Sequence, residues 1–132
     1  MLPRLKSDPD ELFYAIAKGS LDTYRLEWST KACVAVVLAS EGYPGNFQTG
    51  IPITGLETIP TDTMVFHAGT KSSMSSSDNS TQFLTNGGRV LTIMASGESI
   101  ENAREKAYLG VNKVTFSGAH YRTDIALLNS YQ

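Results

Sequence analysis

Residues 32–39, Ala-Cys-Val-Ala-Val-Val-Leu-Ala, are the longest uninterrupted apolar run of the chain. Eight residues rich in valine suit a strand, and they fall far short of the ~20 needed to span a bilayer. The run is apolar on both faces, so it reads as a strand in the middle of the core. Just upstream, Tyr24, Leu26 and Trp28 alternate with Thr23, Arg25 and Glu27, the period of two expected of a half-buried strand. With Ser29-Thr30-Lys31 as a turn, the simplest connection between the two is a hairpin. Further upstream, Asp8-Pro9-Asp10-Glu11 supplies an acceptor at the cap, proline at the first helical position and carboxylates at the positive end of the dipole. Leu12, Phe13 and Ile16 then line one face and Gly19 follows, which predicts a helix over 9–18.

Downstream of the apolar run, glycines and prolines punctuate residues 41–60, too densely for a long element. Two readings stay open there, a functional loop and a solvated loop with turn glycines. Thr63–Ala68 reads as a strand, and the serine-rich stretch TKSSMSSSDNST after it as a hairpin loop without a core of its own. Residues 82–85 and 89–95 flank Asn86-Gly87-Gly88 and are expected to pair across that turn. Ser99 caps a second helix, with Ile100, Ala103, Ala107 and Val111 on its apolar face. Asn102 occupies the position where a capping box would have Glu or Gln. Val114 and Phe116 open an expected last strand. This order, without strict alternation of strand and helix, predicts a β-rich α+β fold: an antiparallel sheet or flattened barrel, one N-terminal helix and one helix packed near the C-terminus.

At 132 residues, one domain is expected, with a 41% hydrophobic fraction that suits a packed core. Eleven basic against thirteen acidic residues, a net charge of -2, exclude a broad electrostatic footprint for nucleic acid. The amino terminus lacks the apolar segment of a secretory signal, no membrane partner is expected, and no internal repeat is visible. One cysteine, Cys33, forms no internal disulfide and argues for a reducing, cytoplasmic setting.

Arg89 is the strongest single candidate for chemistry. After two glycines, a guanidinium and backbone N–H groups can converge on a phosphate or carboxylate; the alternative is a plain glycine turn followed by an exposed arginine. Cys33 with His67 has the composition of a nucleophile and base, although a thiol within an apolar run is ordinarily inert packing. His67 and His120 are the only histidines, which argues against a multi-histidine metal site. Neither GxxxxGK[ST] nor GxGxxG is present, so the chain carries no recognisable phosphate loop for ATP.

Seven strings in register, PRLKSD (3–8), VVLASEGYPG (36–45), PITGLE (52–57), VFHAGT (65–70), TNGGRVL (85–91), ENAREKAY (101–108) and YRTDI (121–125), carry a family resemblance. Together they resemble the carboxy-terminal part of phosphoribosylamine–glycine ligase, or glycinamide ribonucleotide synthetase, an ATP-grasp enzyme. The resemblance implies a barrel-sandwich-like domain over 31–132 that closes against an ATP-grasp core, with residues 1–30 as the end of the ATP-grasp segment (helix and strand). It implies the parent reaction, in which ATP activates glycine as an acyl phosphate and the amine of 5-phosphoribosylamine attacks, giving glycinamide ribonucleotide in purine biosynthesis. ATP and Mg2+ are the parent family's; no cofactor is expected on this chain. The family's Arg-Phe-Gly-Asp-Pro-Glu magnesium site belongs just before PRLKSD, where this sequence begins with Met1. The chain is therefore expected to be a fragment, an isolated domain or one half of a split enzyme, inactive alone.

Carried onto this sequence, the resemblance implies no catalytic residue. It implies that Asn86, Gly87, Gly88 and Arg89 hold the 5-phosphate, and that Tyr43, Pro44, Gly45 and Gly55 stand on loops facing substrate. Lys6, Ser7 and Asp8 also match, Asp8 having a capping role of its own. The serine-rich segment is longer than the short turn the family leads one to expect. The implied partners are phosphoribosylamine or glycinamide ribonucleotide, glycine, and the ATP-grasp portion of the ligase. A second hypothesis is a non-catalytic folded remnant or protein-interaction domain that associates through its interface loops. A third, a hydrolase using Cys33, predicts a reactive thiol.

Overall fold

A computed structural model describes residues 2–74 and 81–127. After a 3-10 turn at Leu2–Arg4 come helix α1 (Pro9–Lys18), a second such turn at Leu21–Thr23, and strand β1 (Ala32–Ala39). Strands β2 (Pro52–Ile53), β3 (Thr63–His67), β4 (Thr70–Met74), β5 (Thr81–Thr85) and β6 (Arg89–Gly97) follow, and helix α2 (Ile100–Val111) completes the set. Two antiparallel three-stranded sheets result, ordered β1-β6-β3 and β2-β5-β4. The β-rich α+β architecture is as expected, but the two sheets stay open and separate and do not close into a barrel.

Burial alternates over Val34–Leu38 of β1, whose inner face α2 covers, whereas the central strand β6 is buried over most of its length. Val34, Val36 and Leu38 of β1 and Leu91, Ile93 and Ala95 of β6 are buried with Ala103, Ala107 and Val111 of α2. The small residues of α2 let the helix approach the sheet closely. Ser99 caps it by accepting a hydrogen bond from the Asn102 backbone N–H at 3.2 Å.

Several sequence expectations are corrected. The hairpin over 23–39 does not form: Leu21–Thr23 is a 3-10 turn, and residue 28 makes an isolated bridge to Leu5. The partner of β1 is β6, more than fifty residues later, so an alternating pattern alone did not secure a ladder partner. Strand β1 is not interior; it lies at a sheet edge with Ala35 and Val37 exposed. The serine-rich stretch begins as a strand, since β4 pairs with β5 from Thr70↔Thr85 to Met74↔Thr81; residues 75–80 lie outside those described. Val114 and Phe116 are buried without a strand, on either side of a single bridge between Thr54 and Thr115. Ile100 is exposed, outside the buried face of α2.

The largest correction concerns Asn86-Gly87-Gly88. Strands β5 and β6 do not pair across this turn; they belong to different sheets. The link from β3 to β4 through Ala68-Gly69 makes the same passage between sheets. The two crossovers touch: a Cβ on Gly69 would lie 2.7 Å from Gly87 Cα and 2.6 Å from the Arg89 carbonyl oxygen. Only residues without a Cβ let the two backbones pass at this distance.

Candidate functional site

The crossover turn of residues 86–89 is fixed on two sides by backbone hydrogen bonds. The Gly69 N–H donates to the Arg89 carbonyl at 2.8 Å, and the Asn86 N–H donates to the Gly69 carbonyl at 2.7 Å. On the other side the register of β1 shifts between Leu38 and Ala39, and the chain turns out of the sheet. Ser40, buried, donates its N–H to the Gly88 carbonyl at 2.8 Å and its hydroxyl to the Gly87 carbonyl at 2.9 Å. The Tyr43 N–H donates to the Ser40 carbonyl at 3.1 Å, which folds the loop back. The Tyr43 ring then lies against Gly88, in the space any side chain there would need. Tyr43–Pro44 is a cis peptide, and the Tyr43 ring stands 6.4 Å from that of Phe47.

Seven of the eight sequence-predicted residues thus lie on two loops in contact, Asn86, Gly87, Gly88 and Arg89 on one and Tyr43, Pro44 and Gly45 on the other. Gly55 stands apart, against the backbone of Lys113 just after α2. Among the described residues the Arg89 side chain, exposed at the start of β6, makes no ion pair or hydrogen bond. The turn therefore presents a guanidinium with no partner among the described residues, on a backbone held by hydrogen bonds from both sides. Beside it runs an open cleft of about 320 Å³, lined by Ser40, Glu41, Asn46, Phe47, Gln48 and Ile51 on the loop and by Ser117. Ser40 is the hinge between turn and cleft, and its role was not legible in the sequence.

The remaining candidates separate. Cys33 pairs with Ser96 and His67 with Leu91, at opposite ends of β6, five residues or about 17 Å apart along the strand. That distance excludes a nucleophile–base pair. His67 is instead engaged at the crossover: its Nδ1 lies 3.0 Å from the Thr70 hydroxyl and its ring 4.5 Å from that of Phe83 on the other sheet. His120 bridges Ala39 through its backbone. Two matching strings hold each other by a clamp that the sequence did not announce. Arg104 of α2 donates to the carbonyls of Ile125 at 2.9 Å and Thr123 at 2.6 Å, and the Tyr108 hydroxyl donates to the Arg122 carbonyl at 2.6 Å.

Charge effects concentrate around α2, away from the turn. Asp62 is held below the usual carboxylate range by its hydrogen bond from Lys106, at 2.8 Å. Glu101 is lowered by backbone N–H donation at the helix start and by Ser99, and Asp124 by its bond from Arg122. Among the described residues no three His, Cys, Asp or Glu side chains gather to hold a metal ion. Glu41 is the one carboxylate among the residues that line the cleft. Among the described residues no helix is long and apolar enough to cross a membrane.

Comparison with known proteins gives a consistent result. The family model described as "Phosphoribosylglycinamide synthetase, C domain" matches residues 33–128. The phosphoribosylamine–glycine ligase of Caldanaerobacter subterraneus is 43% identical over 126 residues, covering 96% of this chain and 28% of that protein. The chloroplastic phosphoribosylamine–glycine ligase of Arabidopsis thaliana is 38% identical over 128 residues, covering 95% of this chain and 23% of its own. A crystal structure of phosphoribosylamine–glycine ligase from Thermotoga maritima superposes with a TM-score of 0.66 at 37% identity, covering 89% of this chain and 28% of that one. This chain thus spans under a third of the relatives it matches. On sequence and fold alike, it belongs to the phosphoribosylglycinamide synthetase C-domain family.

Proposed function

We propose that the chain is the substrate-binding and lid domain of a phosphoribosylamine–glycine ligase, which joins glycine to 5-phosphoribosylamine with ATP to give glycinamide ribonucleotide in purine biosynthesis. In this reading residues 31–132 are the C-terminal domain and residues 1–30 the end of the ATP-grasp segment, with ATP and Mg2+ held outside this chain. The observation that carries it is the crossover turn, where Arg89 offers an exposed guanidinium, without an ion pair or hydrogen bond among the described residues, on a backbone held by Ser40 and Gly69. A planar guanidinium suits the 5-phosphate through two parallel hydrogen bonds, and the fixed backbone reduces the entropy lost on binding. Gly88 keeps the Tyr43 loop against the turn, so that substrate meets both loops at once. Closure of the domain would keep water from the acyl phosphate, whose hydrolysis wastes ATP.

Calorimetric titration with ribose 5-phosphate tests the reading. Arg89→Ala is expected to weaken binding by ~1.5–3 kcal/mol, the scale of a charged hydrogen bond. Unchanged affinity removes Arg89 from the site. A second reading, a domain that only folds and associates, draws on the exposed apolar residues Phe66 and Met64. Sedimentation at several concentrations separates the two: a monomer that binds sugar phosphate favours the first.

A further inference from the structure

The sheet β1-β6-β3 has two apolar faces: α2 covers one, and on the other Met94 is buried while its neighbours on β1 and β3 are exposed. Antiparallel register places Ala35, Met94 and Met64 in one row across the three strands, and Val37, Thr92 and Phe66 in the next. Both rows lie on the face opposite α2. Met64 is 54% exposed, Phe66 45% and Val37 41%, and no charged residue stands in either row. Cys33 and Ala35 line two shallow depressions here, one with Arg4 and Trp28, the other with Leu2, Pro3, Phe66 and Met94. The bare face is therefore continuous with the segment 2–30.

That segment leaves its own apolar residues uncovered. Helix α1 buries only Ala15, while Phe13 is 58%, Tyr14 64% and Ile16 51% exposed. It also lies before residue 33, where the family model begins, yet the stretch shared with the Caldanaerobacter ligase covers 96% of the chain and so includes most of it. The sheet face meets this segment at Leu2, Pro3, Arg4 and Trp28, and both occur in a chain that spans 28% of that relative. Single exposed apolar residues are ordinary, whereas a contiguous uncharged face marks a surface that binds protein.

We propose that the outer face of β1-β6-β3, together with α1, is the docking surface for the rest of the ligase, the part of the relatives' length that this chain does not span. The inference rests on the ligase reading and adds the face through which the domain seats. Met64 and Phe66 are the anchors, flanked by Val37 and Cys33, and the crossover turn stands at the Leu38–Leu91 end of the same sheet. Seating the outer face would fix the distance between Arg89 and whatever the core holds.

The single cysteine is the probe. Alkylation of Cys33, read by peptide mapping, is compared in the free chain and in a full-length Caldanaerobacter ligase carrying this chain in place of its matching stretch. The expected result is slow but measurable labelling in the free chain and a further slowing by about tenfold or more in the chimera, as for a site closed by docking. A second measurement uses Met64→Glu, which is expected to leave the melting temperature of the free chain nearly unchanged and to lower that of the chimera. Equal labelling in a chimera that makes glycinamide ribonucleotide overturns the docking face and leaves the function standing. Protection in an inactive chimera upholds the face and overturns the function. Protection in the free chain that grows with its concentration assigns the face to a second copy and also overturns the proposal.

Discussion

Helix α1 and helix α2 start with the same device and finish in different surroundings. Asp8 accepts from the Asp10 N–H at 2.8 Å, and Ser99 accepts from the Asn102 N–H at 3.2 Å. Proline and two carboxylates strengthen the start of α1, which also ends in a left-handed Gly19. By local signals α1 is the better specified helix. Yet α2 buries Ala103, Ala107, Gly110 and Val111 against the sheet, whereas α1 buries Ala15 alone. Caps and spacing decide that a helix forms; they do not supply what its apolar face packs on. The contrast extends to the sheet, whose inner face is covered by α2 while Val37, Met64 and Phe66 on the outer face stay exposed.

The contrast is broken most strongly by a charge on each helix. Ala107→Glu places a carboxylate at a fully buried position against the sheet and is expected to cost more than ~3 kcal/mol, read as a collapse of the urea midpoint. Ile16→Glu on α1 is expected to change stability by no more than ~0.5 kcal/mol, since that face is already wet. Comparable losses from the two would show that α1 has a buried partner within this chain. Next in size, Gly87→Ala puts a Cβ 2.9 Å from Gly69 Cα and is expected to cost ~1–3 kcal/mol as the crossovers are forced apart.

Removing the caps sharpens the comparison. Ser99→Ala is expected to lower global stability by ~1 kcal/mol, the usual worth of a helix cap. Asp8→Ala removes an equivalent bond, but α1 is weakly tied to the core, so amide exchange within α1 should rise with little change in the midpoint. A loss equal to that of Ser99→Ala would contradict this. The smallest effect concerns Asp62. Its folded pKa is depressed by Lys106, so the stability it contributes is present above the ordinary carboxylate range of ~4 and is lost as pH falls through the folded value. Asp62→Asn should flatten that part of the acid limb of a stability–pH curve, and an unchanged limb would remove the pair from the account.

Elements with self-contained signals were legible in the sequence: both helices, their caps, β3 and the apolar run of β1. Partnerships were not. The alternation at Tyr24–Trp28 resembles a strand, but its neighbours Leu5–Ser7 offer only scattered backbone bonds, including Lys6 N–H to the Glu27 carbonyl at 2.8 Å. A glycine turn between two strands reads as a hairpin unless one knows that the strands belong to different sheets, and sequence spacing carries no such information. The candidate site shows the same division. Arg89 and its glycines stood out by residue type, and the resemblance added Tyr43. Ser40, which joins the two loops by two hydrogen bonds, had no signal beyond being a serine after a strand. Gly55 was likewise singled out by the resemblance, and its place against Lys113 suits a close backbone approach.

In the proposed function the crossover turn binds the sugar phosphate of a ligase substrate. The most direct measurement is the rate of glycinamide ribonucleotide formation by the Caldanaerobacter chimera, with glycine, ATP and freshly generated phosphoribosylamine, before and after Arg89→Ala. The chimera is expected to be active, with Arg89→Ala raising the KM for phosphoribosylamine by about tenfold or more, following the ~1.5–3 kcal/mol expected of a lost charged hydrogen bond. A chimera equally active with and without Arg89, at unchanged KM, would contradict it.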